Sequence, residues 1–185
     1  DTKTKSKYLL GLSITANLAT TYEKKGDHKF FIVIQANDYT TYLECFLEKG
    51  KRSRNEEEEL ITACAISLLA ESCGLEYPLP DQAEDINIKK IIAEKPWKKL
   101  FNNKVGFISN NKSNPELIFP GSFNPLHEGH IKMKELAERK TGMHTTFEIC
   151  AKNADKPPLT YVEIKRTIDQ FQNDESWMLT SAGRF

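Results

Sequence analysis

The chain has 185 residues, of which 39% are hydrophobic and 28% are charged, a composition typical of a soluble globular protein. Lysine and arginine together number 26, as do aspartate and glutamate, so the sequence has no net charge. Without a basic field, we expect no nucleic-acid partner and no attraction to an acidic membrane. The apolar runs are too short to cross a bilayer, and no signal peptide is visible.

The cysteines and the first residue carry two further expectations. The four cysteines (Cys45, Cys64, Cys73 and Cys150) have no C-x-x-C spacing, which predicts reduced, buried thiols in a cytoplasmic protein. The sequence begins at Asp1 rather than at a methionine and opens without an obvious domain start, so we expect a fragment of a longer protein. The sequence leaves open whether the protein forms a homo-oligomer.

Two strands and a helix are predicted in the first part of the chain. The run from His28 to Gln35 is rich in β-favouring residues and predicts a strand buried on both faces. In the run from Thr41 to Leu47 the side chains alternate between two faces, which predicts a second strand. A turn signal separates them, which predicts a hairpin. Ser53 and Glu56 form a capping box that opens a helix with an apolar stripe, and Gly74 is placed to end it.

Charged side chains surround the start of this predicted helix. Lys49, Lys51, Arg52 and Arg54 could hold a phosphate, but a solvated loop is the preferred interpretation. The acidic run from Glu56 to Glu59 suits the positive end of the helix dipole, and we interpret it as a solvated helix start rather than a metal site.

Four short motifs in residues 1–80 are similar to the later half of a known domain. They are Leu10-Gly11-Leu12, Thr15 to Thr20, Gly26 to Lys29, and Lys51-x-Ser53-Arg54 leading into Glu57 to Leu60. Together they resemble the CinA C-terminal domain, a family that contains nicotinamide-nucleotide amidases. The resemblance implies a small, partial α/β module. The family's catalytic serine lies in a motif before the matched part, and this chain shows no such motif, so we assign no amidase residue.

A polar segment follows the first module. Tyr77 to Asp81 is rich in proline and breaks the chain. We expect residues 81–114 to be a linker that holds one helix near Ile86 to Ala93 and one short strand from Val105 to Ile108.

Residues 115–185 predict a second α/β module with a parallel sheet. A short apolar strand from Leu117 ends in Pro-Gly-Ser, and a helix follows from His130 to about Lys140. Thr145 to Cys150 and Trp177 to Leu179 predict two more strands, with a helix from Thr160 to about Phe171 between them. In a parallel sheet, ligands bind at the carboxyl ends of the strands, so the 119–130 and 151–158 loops should lie side by side there.

The first of these loops has features of an anion site. The first turn of a helix carries unpaired N–H groups and the positive end of the dipole. Gly121 and Gly129 lack a Cβ atom where a phosphate would approach the backbone. His127 and His130 are three residues apart and share one helical face, where imidazoles can donate to phosphoryl oxygens.

The motif Gly121-Ser122-Phe123-Asn124-Pro125 followed by His127-x-Gly129-His130 resembles the signature of the HxGH nucleotidyltransferases. That group includes nicotinamide and nicotinate mononucleotide adenylyltransferases, pantetheine-phosphate adenylyltransferase and cytidylyltransferases. The match continues more loosely through Asn153 to Leu159 and Arg166. The resemblance implies a Rossmann-like parallel sheet in residues 115–185, and we expect this sheet to be truncated in this sequence.

The resemblance also implies roles for particular residues. His127 and His130 would be catalytic and donate to the triphosphate of ATP or CTP, with Mg²⁺ as the cofactor. Lys156 would reach the phosphate of the attacking substrate, with Arg166 as a weaker candidate. The remaining nucleotide- or phosphate-binding residues would be Gly121, Ser122, Phe123, Asn124 and Gly129, the first three through backbone N–H groups.

Two other motifs that would explain these residues are not present. A zinc protease helix needs H-E-x-x-H, but here the second histidine comes one residue early. The dinucleotide-binding motif G-x-G-x-x-G is absent from the sequence. Ser181 to Arg184 echoes the family's second phosphate signature but falls too early, and we interpret it as coincidental. The preferred function is transfer of a nucleotidyl group to a phosphate-bearing substrate, best a pyridine mononucleotide. The alternative is an inactive nucleotide-binding or assembly module.

Overall fold

A computed structural model describes residues 9–22, 24–83, 85–111, 114–153, 156–171 and 175–181. The chain forms two compact units, Asp1–Ile92 and Ala93–Phe185. Within the described ranges, no helix is long and apolar enough to cross a membrane.

The first unit is an antiparallel sheet with one helix. Its strands are β1 (Gly11–Asn17), β2 (His28–Gln35), β3 (Tyr39–Leu47) and β4 (Ile86–Ile92), in the order β1-β2-β3-β4. Helix α1 (Arg54–Ser72) lies between β3 and β4 in the chain. The predicted hairpin of β2 and β3 is confirmed.

Helix α1 begins and ends as the sequence predicts. The Ser53 side chain accepts from the backbone N–H of Glu56, and the Glu56 carboxylate accepts from the Ser53 N–H (2.7 Å), which completes the capping box. Gly74 follows the last turn with φ +75°, a left-handed conformation that glycine adopts without strain.

The core of the first unit lies between α1 and one face of the sheet. Alternate residues of β2 are buried, so the prediction of burial on both faces is wrong: the side chains between them are only half-buried. Burial raises the pKa of the Cys64 thiol to about 11, as expected of a core cysteine. The four cysteines, all within the described ranges, form no disulfide; Cys45 and Cys64 are buried as predicted, whereas Cys73 is exposed and Cys150 is half-buried. The core residues include Phe30, Ile32, Ile34, Leu43, Cys45, Leu60, Ile61, Cys64 and Leu68.

One strand was missed and one predicted helix was wrong. Gly11–Asn17 is strand β1, which the sequence analysis missed, and the predicted helix at Ile86 to Ala93 is strand β4. Ile86 and Ile88 recur at a spacing of two, and pairing with β3 satisfies the backbone of this segment. The predicted linker is therefore divided: β4 belongs to the first unit, and the residues from Ala93 onward belong to the second.

The second unit is a mixed α/β structure. Its elements are α2 (Lys95–Phe101), β5 (Phe107–Ser109), β6 (Leu117–Pro120), α3 (Glu128–Thr141), β7 (Thr145–Cys150), α4 (Tyr161–Ile168) and β8 (Trp177–Thr180). The sheet order is β5-β8-β7-β6. The three strands predicted to be parallel, β6, β7 and β8, are parallel, while β5 pairs with β8 in the antiparallel sense. Helix α2 was not predicted.

Candidate functional site

A cavity of about 420 Å³ lies at the carboxyl ends of β6 and β7. Residues 120–122 and 124 line it from the first loop, residues 148–150, 153, 156, 157 and 159 line it from the end of β7 and the loop after it, and α4 contributes Glu163, Arg166 and Thr167. The prediction that the loops after two neighbouring strands lie side by side is confirmed. The cavity is where an open parallel sheet is expected to bind a ligand.

The predicted site residues divide into two groups. Gly121, Ser122, Asn124, Lys156 and Arg166 line the cavity. Phe123, His127, Gly129 and His130 are not among the lining residues. The structure therefore brings the first group together and places the histidine pair beside the cavity.

Phe123 contacts His130 of the histidine pair and does not line the cavity. It was predicted as a phosphate-binding residue through its backbone N–H, yet its side chain is a core group and is only 2% exposed. The ring centroid lies 5.1 Å from that of His130 and 5.1 Å from that of Phe147. Its φ of +45° is unusual for a bulky residue. This backbone conformation turns the side chain beneath the loop that carries Gly121.

Gly121 is needed for a reason that the sequence analysis did not give. A Cβ atom at this position would lie 2.5 Å from Cζ and 2.7 Å from Cε1 of Phe123. Real Cβ atoms do not approach so closely, and the buried ring has little room to move. Glycine is therefore required here by the packing of Phe123, whatever ligand the cavity takes.

We predict that Gly121→Ala lowers the free energy of unfolding of the second unit by about 1–3 kcal/mol, the usual cost of overpacking. Chemical denaturation would measure it. Gly106→Ala is the matched control, because a Cβ atom there meets no atom within 4 Å. Equal effects of the two substitutions would contradict the prediction.

Gln170 holds the loop between Phe123 and Leu126, and the sequence analysis missed it. Its Nε2 donates to the backbone carbonyl of Phe123 (2.9 Å), and its Oε1 accepts from the backbone N–H of Leu126 (2.8 Å). One side chain thus satisfies two backbone groups of a turn that has no ladder of its own. We interpret Gln170 as a positioning residue. An isolated glutamine after a helix gives no sequence signal for this role.

We expect Gln170→Leu to destabilise the second unit by about 1–3 kcal/mol, because two backbone groups lose their partner. Gln170→Glu keeps the acceptor for Leu126 and loses the donor for Phe123, so its effect should be smaller. Denaturation of both variants would test this order. A Gln170→Leu protein as stable as the parent would show that the turn does not depend on this side chain.

His127 and His130 form a stacked pair at the start of α3. Their ring centroids are 3.8 Å apart with an interplanar angle of 23°. Gly129 permits this stacking, because a Cβ atom there would lie 3.1 Å from Cε1 and Nδ1 of His127. The glycine between the histidines therefore has a steric role within the pair, in addition to the approach of a phosphate that the sequence suggested.

The protonation of His130 follows from its surroundings. The backbone N–H of His127 donates to Nδ1 of His130 (3.3 Å), so the neutral ring carries its proton on Nε2. Burial lowers the pKa of His130, and the neighbouring His127 lowers it further. At neutral pH the ring is thus an uncharged donor through Nε2–H.

The lowered pKa of His130 predicts a pH dependence of stability. In the unfolded chain, His130 has the ordinary pKa of 6.5, so it binds a proton more readily than in the folded protein. The free energy of unfolding should therefore fall as the pH drops from 6.5 toward the lowered pKa of His130. Above pH 6.5, His130 should not affect the free energy of unfolding. His130→Gln removes this contribution and should flatten that part of the profile. Identical profiles for the two proteins would contradict the assignment.

The cavity contains two cations and two carboxyl groups. Nη2 of Arg166 donates to Oδ1 of Asn124 (3.3 Å), which joins α4 to the loop after β6. The Glu163 carboxylate accepts from the N–H and hydroxyl of Thr160 and so completes the cap of α4. Lys156 is exposed at the rim. The arrangement suits an anionic ligand.

Glu148 is a cavity residue that the sequence analysis missed. It lies on β7 and is only 1% exposed, and the Thr180 hydroxyl donates to its carboxyl group. Burial raises its pKa, an effect that the hydrogen bond from Thr180 opposes. Its position within an apolar strand gave no sign that it would face a ligand cavity.

A second polar cluster lies at the amino ends of the parallel strands, opposite to the ends that carry the cavity. Nε2 of His144 is 2.9 Å from the Ser176 hydroxyl, and Nδ1 is 3.3 Å from the Glu138 carboxylate. Serine, histidine and a carboxylate in this order can support nucleophilic catalysis. Ser176 is 8% exposed, however, and the cluster precedes the amino ends of β7 and β8. We interpret it as structural.

Residues 118–181 match the family model described as cytidylyltransferase-like. The match lies within the second unit and supports a nucleotidyltransferase type of activity in general. The comparison with curated proteins and that with solved structures each found no match. The CinA resemblance of residues 1–80 stays a prediction. Ser181 to Arg184 resemble the family's second phosphate signature. Only Ser181 of these is among the described residues.

Proposed function

We propose that the second unit transfers a nucleotidyl group from ATP or CTP to a small phosphate-bearing substrate and releases pyrophosphate. The observation that carries this proposal is the stacked histidine pair at the N-terminus of α3, beside a cavity at the carboxyl ends of parallel strands. The family match at residues 118–181 supports the class of reaction. A pyridine mononucleotide with ATP is our best candidate for the substrate pair, on the resemblances described above.

The reaction needs little covalent chemistry from the protein. A phosphate oxygen of the acceptor forms a bond to the α-phosphorus, and the bond from that phosphorus to the bridging oxygen of pyrophosphate breaks. The leaving pyrophosphate keeps the electron pair. Because the attacking phosphate is already an anion, no general base is required. Positioning and stabilisation of the developing charge can supply most of the acceleration.

The histidine pair would supply donors for that charge. Nε2–H of His130 is free of the hydrogen bond that occupies Nδ1, so it can donate to a triphosphate oxygen. Its lowered pKa keeps the ring neutral, so this donor does not depend on a proton taken up at neutral pH. We propose that His127, stacked on it, acts at the same phosphates.

Lys156 and Arg166 would bind the phosphate of the acceptor. Both line the cavity, and Arg166 is oriented by its contact with Asn124. Among the described residues, no group of three or more histidine, cysteine, aspartate or glutamate side chains could hold a metal ion. We therefore assign Mg²⁺ to the triphosphate of the substrate, where it would offset negative charge.

One observation favours the alternative that the unit binds nucleotide without turnover. Neither His127 nor His130 lines the cavity, and the buried ring of Phe123 contacts His130. In this alternative the nucleotide would occupy the cavity and the histidines would remain structural. The two functions differ in whether pyrophosphate is released.

We predict that His127→Ala lowers the rate of pyrophosphate release on the order of a hundredfold or more, as for loss of a transition-state donor. The assay would supply MgATP or MgCTP with nicotinamide mononucleotide as the acceptor. His144→Ala is the control, because His144 lies before the amino end of β7. An unchanged rate in His127→Ala would refute the catalytic role. Nucleotide binding without release by the parent protein would favour the binding module.

A further inference from the structure

A cavity of about 650 Å³ in the first unit is lined by basic side chains from separate segments of the chain. Lys24 comes from the connection between β1 and β2, and Lys49, Arg52 and Arg54 come from the turn before α1 and its first residue. No aspartate or glutamate is among the lining residues. The protein as a whole has no net charge, so this concentration of one sign is local.

The two lysines of this basic cavity are held by neutral oxygens. Nζ of Lys24 donates to Oδ1 of Asn17 (3.1 Å) and to the carbonyl of Leu18 (3.3 Å). Nζ of Lys49 donates to the carbonyls of Lys24 (3.0 Å) and Lys25 (3.2 Å). These contacts fix the ammonium groups but leave their charges unneutralised by any carboxylate among the described residues. Such preorganised cations attract an anion without first breaking an ion pair.

A buried histidine also faces this cavity. His28 is 8% exposed and lines it, and its Nδ1 lies 2.9 Å from the fully buried carboxylate of Glu57. The second oxygen of that carboxylate accepts from the backbone N–H of Ala19 (2.7 Å). Glu57 thus fixes both the ring and the 18–20 segment of the cavity wall. In the part of the chain that the structure describes, Nε2 of His28 makes no hydrogen bond and is available to a ligand.

We propose that this basic cavity binds a small molecule that carries a phosphate ester. Lys24 and Lys49, which are held by neutral oxygens, select an anion, and a phosphate offers enough oxygens to contact both. Arg54 also lines the cavity, but it is paired with Glu58 (2.8 Å). A volume of about 650 Å³ is far larger than a phosphate ion and is in the range that encloses a small organic ligand. The side chains of Ala19, Thr20, Thr21 and Tyr22 line the rest of the cavity and would contact the organic part. This site belongs to the first unit alone and does not depend on the function proposed for the second.

The test is a titration of the full chain with ribose 5-phosphate and, separately, with orthophosphate, at constant ionic strength and followed by amide NMR spectra. We expect saturable shifts of the amides of residues 19–22, 28 and 49–54, with tighter binding of the ester. Lys49→Gln should weaken binding about tenfold, since it removes a charged donor. Lys51→Gln is the matched control: it removes the same charge from the same loop, but Lys51 does not line the cavity and pairs with Glu48 (3.5 Å).

Several results would overturn the proposal. They are the absence of saturable shifts, shifts confined to the cavity around Gly121 and Lys156, or equal weakening by the Lys49 and Lys51 substitutions. Equal affinity for orthophosphate and the ester would overturn the assignment of an ester. If thermal unfolding shows that Lys49→Gln destabilises the protein, Lys24→Gln is used in its place. We expect it to weaken binding by about tenfold as well.

Discussion

The candidate site of the second unit depends on the packing of one aromatic ring. Phe123 lies in a left-handed conformation, and its side chain is buried between the loop that carries Gly121 and the strand that carries Phe147. The same ring contacts His130, so it connects the cavity wall, the core and the histidine pair. Gln170 holds the adjoining backbone at two points. Movement of this ring would therefore disturb the positions of both groups of site residues at once.

The two cavities use the same principle to prepare for an anion. In the second unit, Arg166 is held by the amide oxygen of Asn124, and Glu163 is occupied in the cap of its own helix. In the first unit, Lys24 and Lys49 are held by neutral oxygens. Neutral partners orient a cation without cancelling its charge, whereas a salt bridge would have to be broken before a phosphate could bind. Each unit thus has cations that neutral oxygens hold at the wall of a cavity, which supports the ligands proposed for the two cavities.

Local patterns allowed the elements with strong end signals to be predicted. The capping box at Ser53 and Glu56 set the start of α1, and Gly142 with φ +72° caps α3 close to the predicted end near Lys140. Elements without such signals were missed or wrong. Strand β1 is exposed along most of its length, so its sequence carries no buried period, and β4 was mistaken for a helix because its pairing with β3 is not visible locally.

The sequence by itself predicted the parallel strands β6, β7 and β8 and five of the residues that line the cavity, because apolar runs, turns and helix starts are local signals. Only the tertiary structure decided that Phe123 is a core residue, that Gln170 and Glu148 belong to the site, and that Lys24 lies with Arg52 around one cavity. These relations join residues far apart in the chain. They are set by which side chains can fill the same volume, and periodicity within a segment carries no record of that.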